Sequence, residues 1–299
     1  IIQNSTETTI DDLPDEINWK GNQFPIPYNN SFKKSFIDIP IDASKDVFHY
    51  EVNLKDSLEY LKGHKVGKVP LLPATCYIKL IQPLVEKLNY KNYTIYDAKF
   101  NSIYYLTDSP PNLKITMKDN FVKISSNDLM KDSSNDEIHA EMRIRNLENI
   151  DDSNKVFLPN GEFFTGEEFY NMIGNEYGGD FAFIDNLAFD KEKTRLIVKV
   201  KIGDNADEEL KSCAWMDACI HAGIVFFDDW EFSCFYAKKV DTYNVIDGGL
   251  PKNSKFLWSV LTKTGCDIYD EHYNKIMYFR GMETNISTRL QPKVFKINY

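Results

Sequence analysis

From Phe36 to Leu54 (FIDIPIDASKDVFHYEVNL) apolar and polar positions alternate between turn residues, which predicts strands. After Pro73 the period changes. Cys76, Leu80, Leu84 and Leu88 recur at helical spacing, with Pro73 suited to the first turn and Pro83 placed to kink or end the helix. Five strand-like stretches then follow: YTIYDAKF, SIYYL, NLKITMK, NFVKIS and EIHAEMRIRN, punctuated by Asp, Ser, Pro and Asn as meander turns are.

The polar stretch NLENIDDSNKVF reads as a boundary, and a second series begins after it. GEEFYNMIGN is helical, YGGDF is a turn, and FAFIDNLAF and TRLIVKVKI are strands. SCAWMDACIHAGIVFF is apolar on nearly every side and too long for a strand, so it predicts a buried helix. Strand patterns return in WEFSCFYAKKV, KFLWSVLTKT and CDIYDEHYNKIMYFRGMET. Each half therefore reads as strands, one buried helix, then more strands. The pattern predicts an α+β unit, a curved antiparallel sheet wrapped on a helix, present twice without identity between the copies. The boundaries that follow are a linker over 1–30, a first unit over 31–145, a connecting segment over 146–158 and a second unit over 159–299.

Length agrees with two units: 299 residues against a prior of roughly 150 per domain. With 35 Lys+Arg against 45 Asp+Glu the net charge is −10, which argues against nucleic acid or an anionic membrane surface as partner. The longest apolar run is interrupted by Asp217 and His221, short of the ~18–20 residues that span a bilayer. The opening IIQNSTETTIDDLPDE lacks the basic and apolar regions of a signal peptide and reads as linker from something longer. Five cysteines without a C-x-x-C pair fit reduced thiols, hence a soluble, cytoplasmic protein.

Few residues can carry chemistry. His64 lies in GHKVGKVPLLP, beside Gly67, which permits close backbone approach, and ahead of the helix that starts past Pro73. A His facing such a site suits a general base near neutral pH, with the backbone placed to receive charge on a carbonyl oxygen. Asp217 and His221 are four apart, hence on one helix face. Their neighbours are almost all apolar, which predicts a carboxyl held protonated, as a general acid requires. A metal held by His64, Asp217 and His221 is disfavoured because no short-spaced ligand pair accompanies them. No G-x-G-x-x-G follows a strand, and no P-loop or G-x-S-x-G elbow is present.

At these residues the chain resembles the dehydratase domains of animal-type fatty acid synthases and reducing type I polyketide synthases. His64 and Pro73 keep the spacing of that family's H-x-x-x-G-x-x-x-x-P, and Pro73-Ala74-Thr75-Cys76-Tyr77 is similar to its Pro-Ala-Thr-Gly-Tyr. Tyr177-Gly178-Gly179-Asp180-Phe181 resembles Y-G-P-x-F, Asp217 to His221 match D-x-x-x-Q/H, and His139-Ala140 resembles the strand that closes the first half. Two positions depart from the pattern, Lys68 in place of the motif glycine and Cys76 in place of a second, both where backbone is expected to approach substrate.

The resemblance implies a double hotdog, two antiparallel sheets each wrapped around a central helix, with the active site between them. It also implies elimination of water from a β-hydroxyacyl thioester carried on the phosphopantetheine of an acyl carrier protein, giving a trans-2-enoyl thioester without a metal or redox cofactor. His64 is then the base and Asp217 the acid, with Gly67, Pro73, Tyr177 and His221 binding substrate. The implied partners are the carrier domain, the other domains of the same synthase and a second copy of the parent chain. A catalytically silent double hotdog and a product-template-like cyclase are the alternatives.

Overall fold

The computed structural model describes residues 36–37, 47–127, 136–147, 164–178, 181–190, 192–202, 211–227, 234–246 and 254–287. The 1–30 linker and most of the 146–158 connection lie outside the described residues, as do Gly179 and Asp180.

In the first half, β1 (Phe36–Ile37) and β2 (Val47–Val52) precede a short α1 (Leu58–Leu61) and the hairpin β3 (His64–Val66), β4 (Val69–Pro70). Helices α2 (Ala74–Leu80) and α3 (Gln82–Lys87) follow, then β5 (Tyr93–Phe100), β6 (Leu113–Lys118), β7 (Phe121–Asn127) and β8 (Asp136–Asn146). The expected proline break is present. Pro83 sits in the first turn of α3, and the helix that begins at Ala74 ends at Leu80. In the second half come β9 (Phe164–Thr165), α4 (Gly166–Met172), β10 (Glu176–Tyr177), β11 (Ile184–Phe189) and β12 (Leu196–Lys201). After them run α5 (Lys211–His221) with a following 3-10 turn, β13 (Cys234–Val245), β14 (Phe256–Leu261), β15 (Gly265–Tyr269) and β16 (Lys275–Ser287).

The stretch SIYYL, expected as a strand, is irregular. Its backbone groups bond singly to the chain around β4, Leu72 N–H to the Tyr104 carbonyl and Leu106 N–H to the Pro70 carbonyl, so alternation is present without a ladder.

Among the described residues the strands do not form one sheet to each half. One thirteen-stranded sheet runs β1-β2-β6-β7-β8-β5-β13-β16-β15-β14-β12-β11-β9, and its halves meet where β5 and β13 pair antiparallel, from Tyr93↔Val245 to Lys99↔Lys239. At that seam the buried Thr94 hydroxyl donates to Asn244 Oδ1 at 2.7 Å. A second sheet of three strands, β10-β3-β4, also joins the halves, because β10 belongs to the second and β3–β4 to the first.

One core runs through both halves. Cys213, Ala214, Ala218, Cys219 and Ala222 are fully buried in and just after α5, and such small side chains let α2 pack closely against it. Thr75 in α2 donates its hydroxyl to the Cys213 carbonyl at 3.0 Å, which ties the two helices together. The five cysteines are free thiols, all buried.

Candidate active site

The β3–β4 connection is a two-residue turn, since Val66 faces Val69, and both turn residues have positive φ, Gly67 at 53° and Lys68 at 76°. That is the geometry of the hairpin turn matching strand twist, and glycine at its first position eases it. The displaced glycine therefore still serves the turn, while Lys68 takes a left-handed conformation with its side chain in solvent. Gly67 lies three residues from His64, about 10 Å along an extended strand. It does not line the cavity described below, where it was expected to meet substrate; its amide faces the Cys234 thiol instead.

His64 opens β3 directly opposite Tyr177 in β10, so their side chains share one face of the small sheet. The rings meet edge to face at 5.5 Å, and Phe181 packs on the imidazole from another side at 5.8 Å. His64 Nδ1 lies 2.9 Å from the Leu71 carbonyl, which can only accept, so Nδ1 carries the proton and Nε2 keeps its lone pair. Nε2 lies 3.9 Å from Asp217 Oδ2. Burial pushes the His64 pKa below its ordinary value, and the Asp217 charge pulls against that. The result is a neutral base.

Asp217 and His221 lie one turn apart on α5, with His221 Nδ1 3.0 Å from Asp217 Oδ2. The His221 ring stacks on Tyr177 at 4.2 Å. The Tyr177 hydroxyl accepts from Asn175 Nδ2 at 3.3 Å, and burial followed by the Asp217 charge raises its pKa, so it remains a donor. Asn175 in turn holds the start of β13 through two bonds with the Phe235 backbone.

These groups face a cavity of about 700 Å³ between the halves. His64, Pro73, Tyr177, Asp217 and His221 all line it, Pro73 as the residue that caps α2, and Ile78, Ile220, Ile224, Val240, Phe279 and Met282 supply apolar wall. Neither Lys68 nor Cys76 does; Cys76 is turned toward Cys213 between the two helices. Among the described residues no group of three or more His, Cys, Asp or Glu side chains is arranged to hold a metal. One reason is geometric: both His221 nitrogens are engaged, by Asp217 and by Tyr170.

Asn175 and Tyr170 were not expected at the site. Tyr170 stands behind His221, on α4, which starts with a capping box, Thr165 and Glu168 exchanging bonds with each other's backbone. The T-x-x-E signature of that box was visible in the sequence and marks where the helix starts.

No protein-family profile matches the chain. A curated relative, "Probable polyketide synthase 24" of Dictyostelium discoideum, is 25% identical over 279 residues, covering 80% of this chain and 10% of its own. The chain thus spans about a tenth of the length of that relative. Among solved structures it resembles the dehydratase domain from the CurF module of curacin polyketide synthase, with TM-score 0.69 and 14% identity, covering 84% of this chain and 97% of that one. It also resembles the CurK dehydratase, with TM-score 0.68 and 15% identity over 85% and 97%, and a trans-AT dehydratase domain from Brevibacillus brevis, with TM-score 0.66 and 14% identity over 81% and 94%. The chain has the fold of the dehydratase domains of polyketide synthases.

Proposed function

We propose that the chain is a dehydratase domain of a multidomain synthase, removing water from a β-hydroxyacyl thioester held on the phosphopantetheine of an acyl carrier protein. The observation that carries this reading is the approach of His64 Nε2 to 3.9 Å from Asp217 Oδ2, a base from one half and a carboxyl from the other on a single cavity. His64 Nε2 takes the α-proton while Asp217 protonates the β-hydroxyl. The C–O bond breaks, the C=C bond forms, and water leaves. Imidazolium and carboxylate then stand side by side, and passing the proton from His64 back to Asp217 restores both groups.

The thioester carbonyl is read as lying near the start of α2, where the Cys76 amide bonds back to the Pro73 carbonyl and the Ala74 and Thr75 amides come too early for a partner within the helix. Tyr177 lines the hydroxyl, Pro73 fixes the start of α2 and His221 holds the acid, whereas Gly67 is assigned to the turn. The apolar wall keeps water out. Support comes also from the CurK domain, of which an aspartate-to-asparagine and a histidine-to-phenylalanine variant are both described as inactive.

In this reading each half is a hotdog, its part of the sheet wrapped around its own helix, over 31–145 and 159–299, with linkers at 1–30 and 146–158. The remaining domains of a synthase, among them the carrier, and a second copy of the parent chain are the partners. Buried free thiols fit a cytoplasmic setting. No helix among the described residues is long and apolar enough to cross a membrane.

The test is conversion of a 3-hydroxybutyryl pantetheine thioester to its enoyl product, followed by absorbance of the conjugated thioester. Wild type is expected to turn over, and His64→Ala and Asp217→Asn each to lose at least a hundredfold in kcat. Turnover that survives both substitutions overturns the mechanism. An inactive wild type supports the silent module, and a cyclised aromatic product from a poly-β-keto thioester supports the cyclase.

A further inference from the structure

Tyr170 does not line the cavity; it stands behind His221. The backbone N–H of Ile184 donates to the phenol oxygen at 3.1 Å, and the Phe183 N–H faces the same oxygen. With amides on its acceptor side, the single phenol proton has one place to go, His221 Nε2 at 3.2 Å. Nε2 must then accept. In a neutral imidazole the proton consequently sits on Nδ1, which donates to Asp217 Oδ2 at 3.0 Å. The ring cannot turn to offer its other edge, because it lies between Tyr177 at 4.2 Å and Phe169, parallel to it within 4° at 5.8 Å.

We infer that Tyr170 is a positioning residue, which sets the tautomer of His221 and so decides which oxygen of Asp217 carries the acid proton. The chain runs from the Ile184 amide through Tyr170 and His221 to Oδ2. With Oδ2 occupied as an acceptor, the proton of a neutral Asp217 belongs on Oδ1, ready for the leaving hydroxyl. The inference rests on the dehydratase reading for its consequence, but its geometry stands apart from it. Tyr170 adds no contact to substrate, so it acts on the rate and not on binding.

Two measurements test it. In wild type, ring-nitrogen NMR of His221 should show Nδ1 protonated and Nε2 as a hydrogen-bonded acceptor; a proton found on Nε2 overturns the inference. Tyr170→Phe keeps the ring and its packing and removes only the hydroxyl. It should lower kcat about tenfold, leave KM within twofold, keep the melting temperature within a few degrees and mix the His221 tautomers. An unchanged kcat with an unchanged tautomer overturns the inference while the dehydratase reading stands. An inactive wild type overturns that reading, and the NMR result in wild type alone then decides for or against the assigned tautomer.

Discussion

The proton on His64 Nδ1 is spoken for by the Leu71 carbonyl, and burial resists a second proton on Nε2. Two consequences follow for pH. The base fails only when protonated, so the acid limb of kcat/KM that belongs to His64 should fall below pH 6.5, the ordinary value for an imidazole. Stability moves in the same direction. The unfolded chain binds a proton at this His from about pH 6.5 downward while the folded chain does not, so stability declines as pH falls from there through the folded-state value. In His64→Phe that part of the decline should vanish; a melting temperature that falls as steeply as in wild type would assign it to other groups. At this scale the sequence was informative where chemistry is local. Asp217 and His221 are one turn apart, and no other knowledge is needed to pair them. The Leu71 carbonyl and Tyr170 were not legible, since one depends on how a hairpin folds back and the other stands 51 residues from its partner.

Between elements, the contact that matters most is the pairing of β3 with β10. Gly178 N–H donates to the Gly63 carbonyl at 2.8 Å, just before His64 and just after Tyr177. A Cβ added at Gly63 would come within 2.8 Å of the Gly178 oxygen and 3.1 Å of the Tyr60 oxygen, both backbone atoms that cannot move aside alone. Gly63→Ala should therefore cost about 1–3 kcal/mol by overpacking, and should lower kcat by pushing the base away from the acid. Urea unfolding and turnover check this together; full stability would show that the strands shift without penalty. Elements were legible where period and punctuation agreed, as at Pro83. SIYYL was misread because alternation reports which side chains are buried, whereas a strand also needs a neighbour for its backbone. The junction of two sheets into one was hidden too, since β5 and β13 lie far apart in sequence and neither shows which of its edges is paired.

Across the molecule, the halves share one core, the β5–β13 seam and the small sheet under the base. The described structure should accordingly unfold in a single transition, with calorimetric and van't Hoff enthalpies equal. Two resolved transitions would show halves stable by themselves.

The seam also has a consequence in time. On the ribosome the first half emerges before β13 exists, and about a hundred residues separate the end of β8 from the end of β13. At translation rates of roughly 5–20 residues per second, β5 waits on the order of 5–20 s with one edge open. An open edge can pair with any nascent neighbour. β5 is blunted against this by the positive φ of Asp97 and by the exposed charges of Asp97 and Lys99. The features that shape the middle of the finished sheet thus also guard it while it is unfinished.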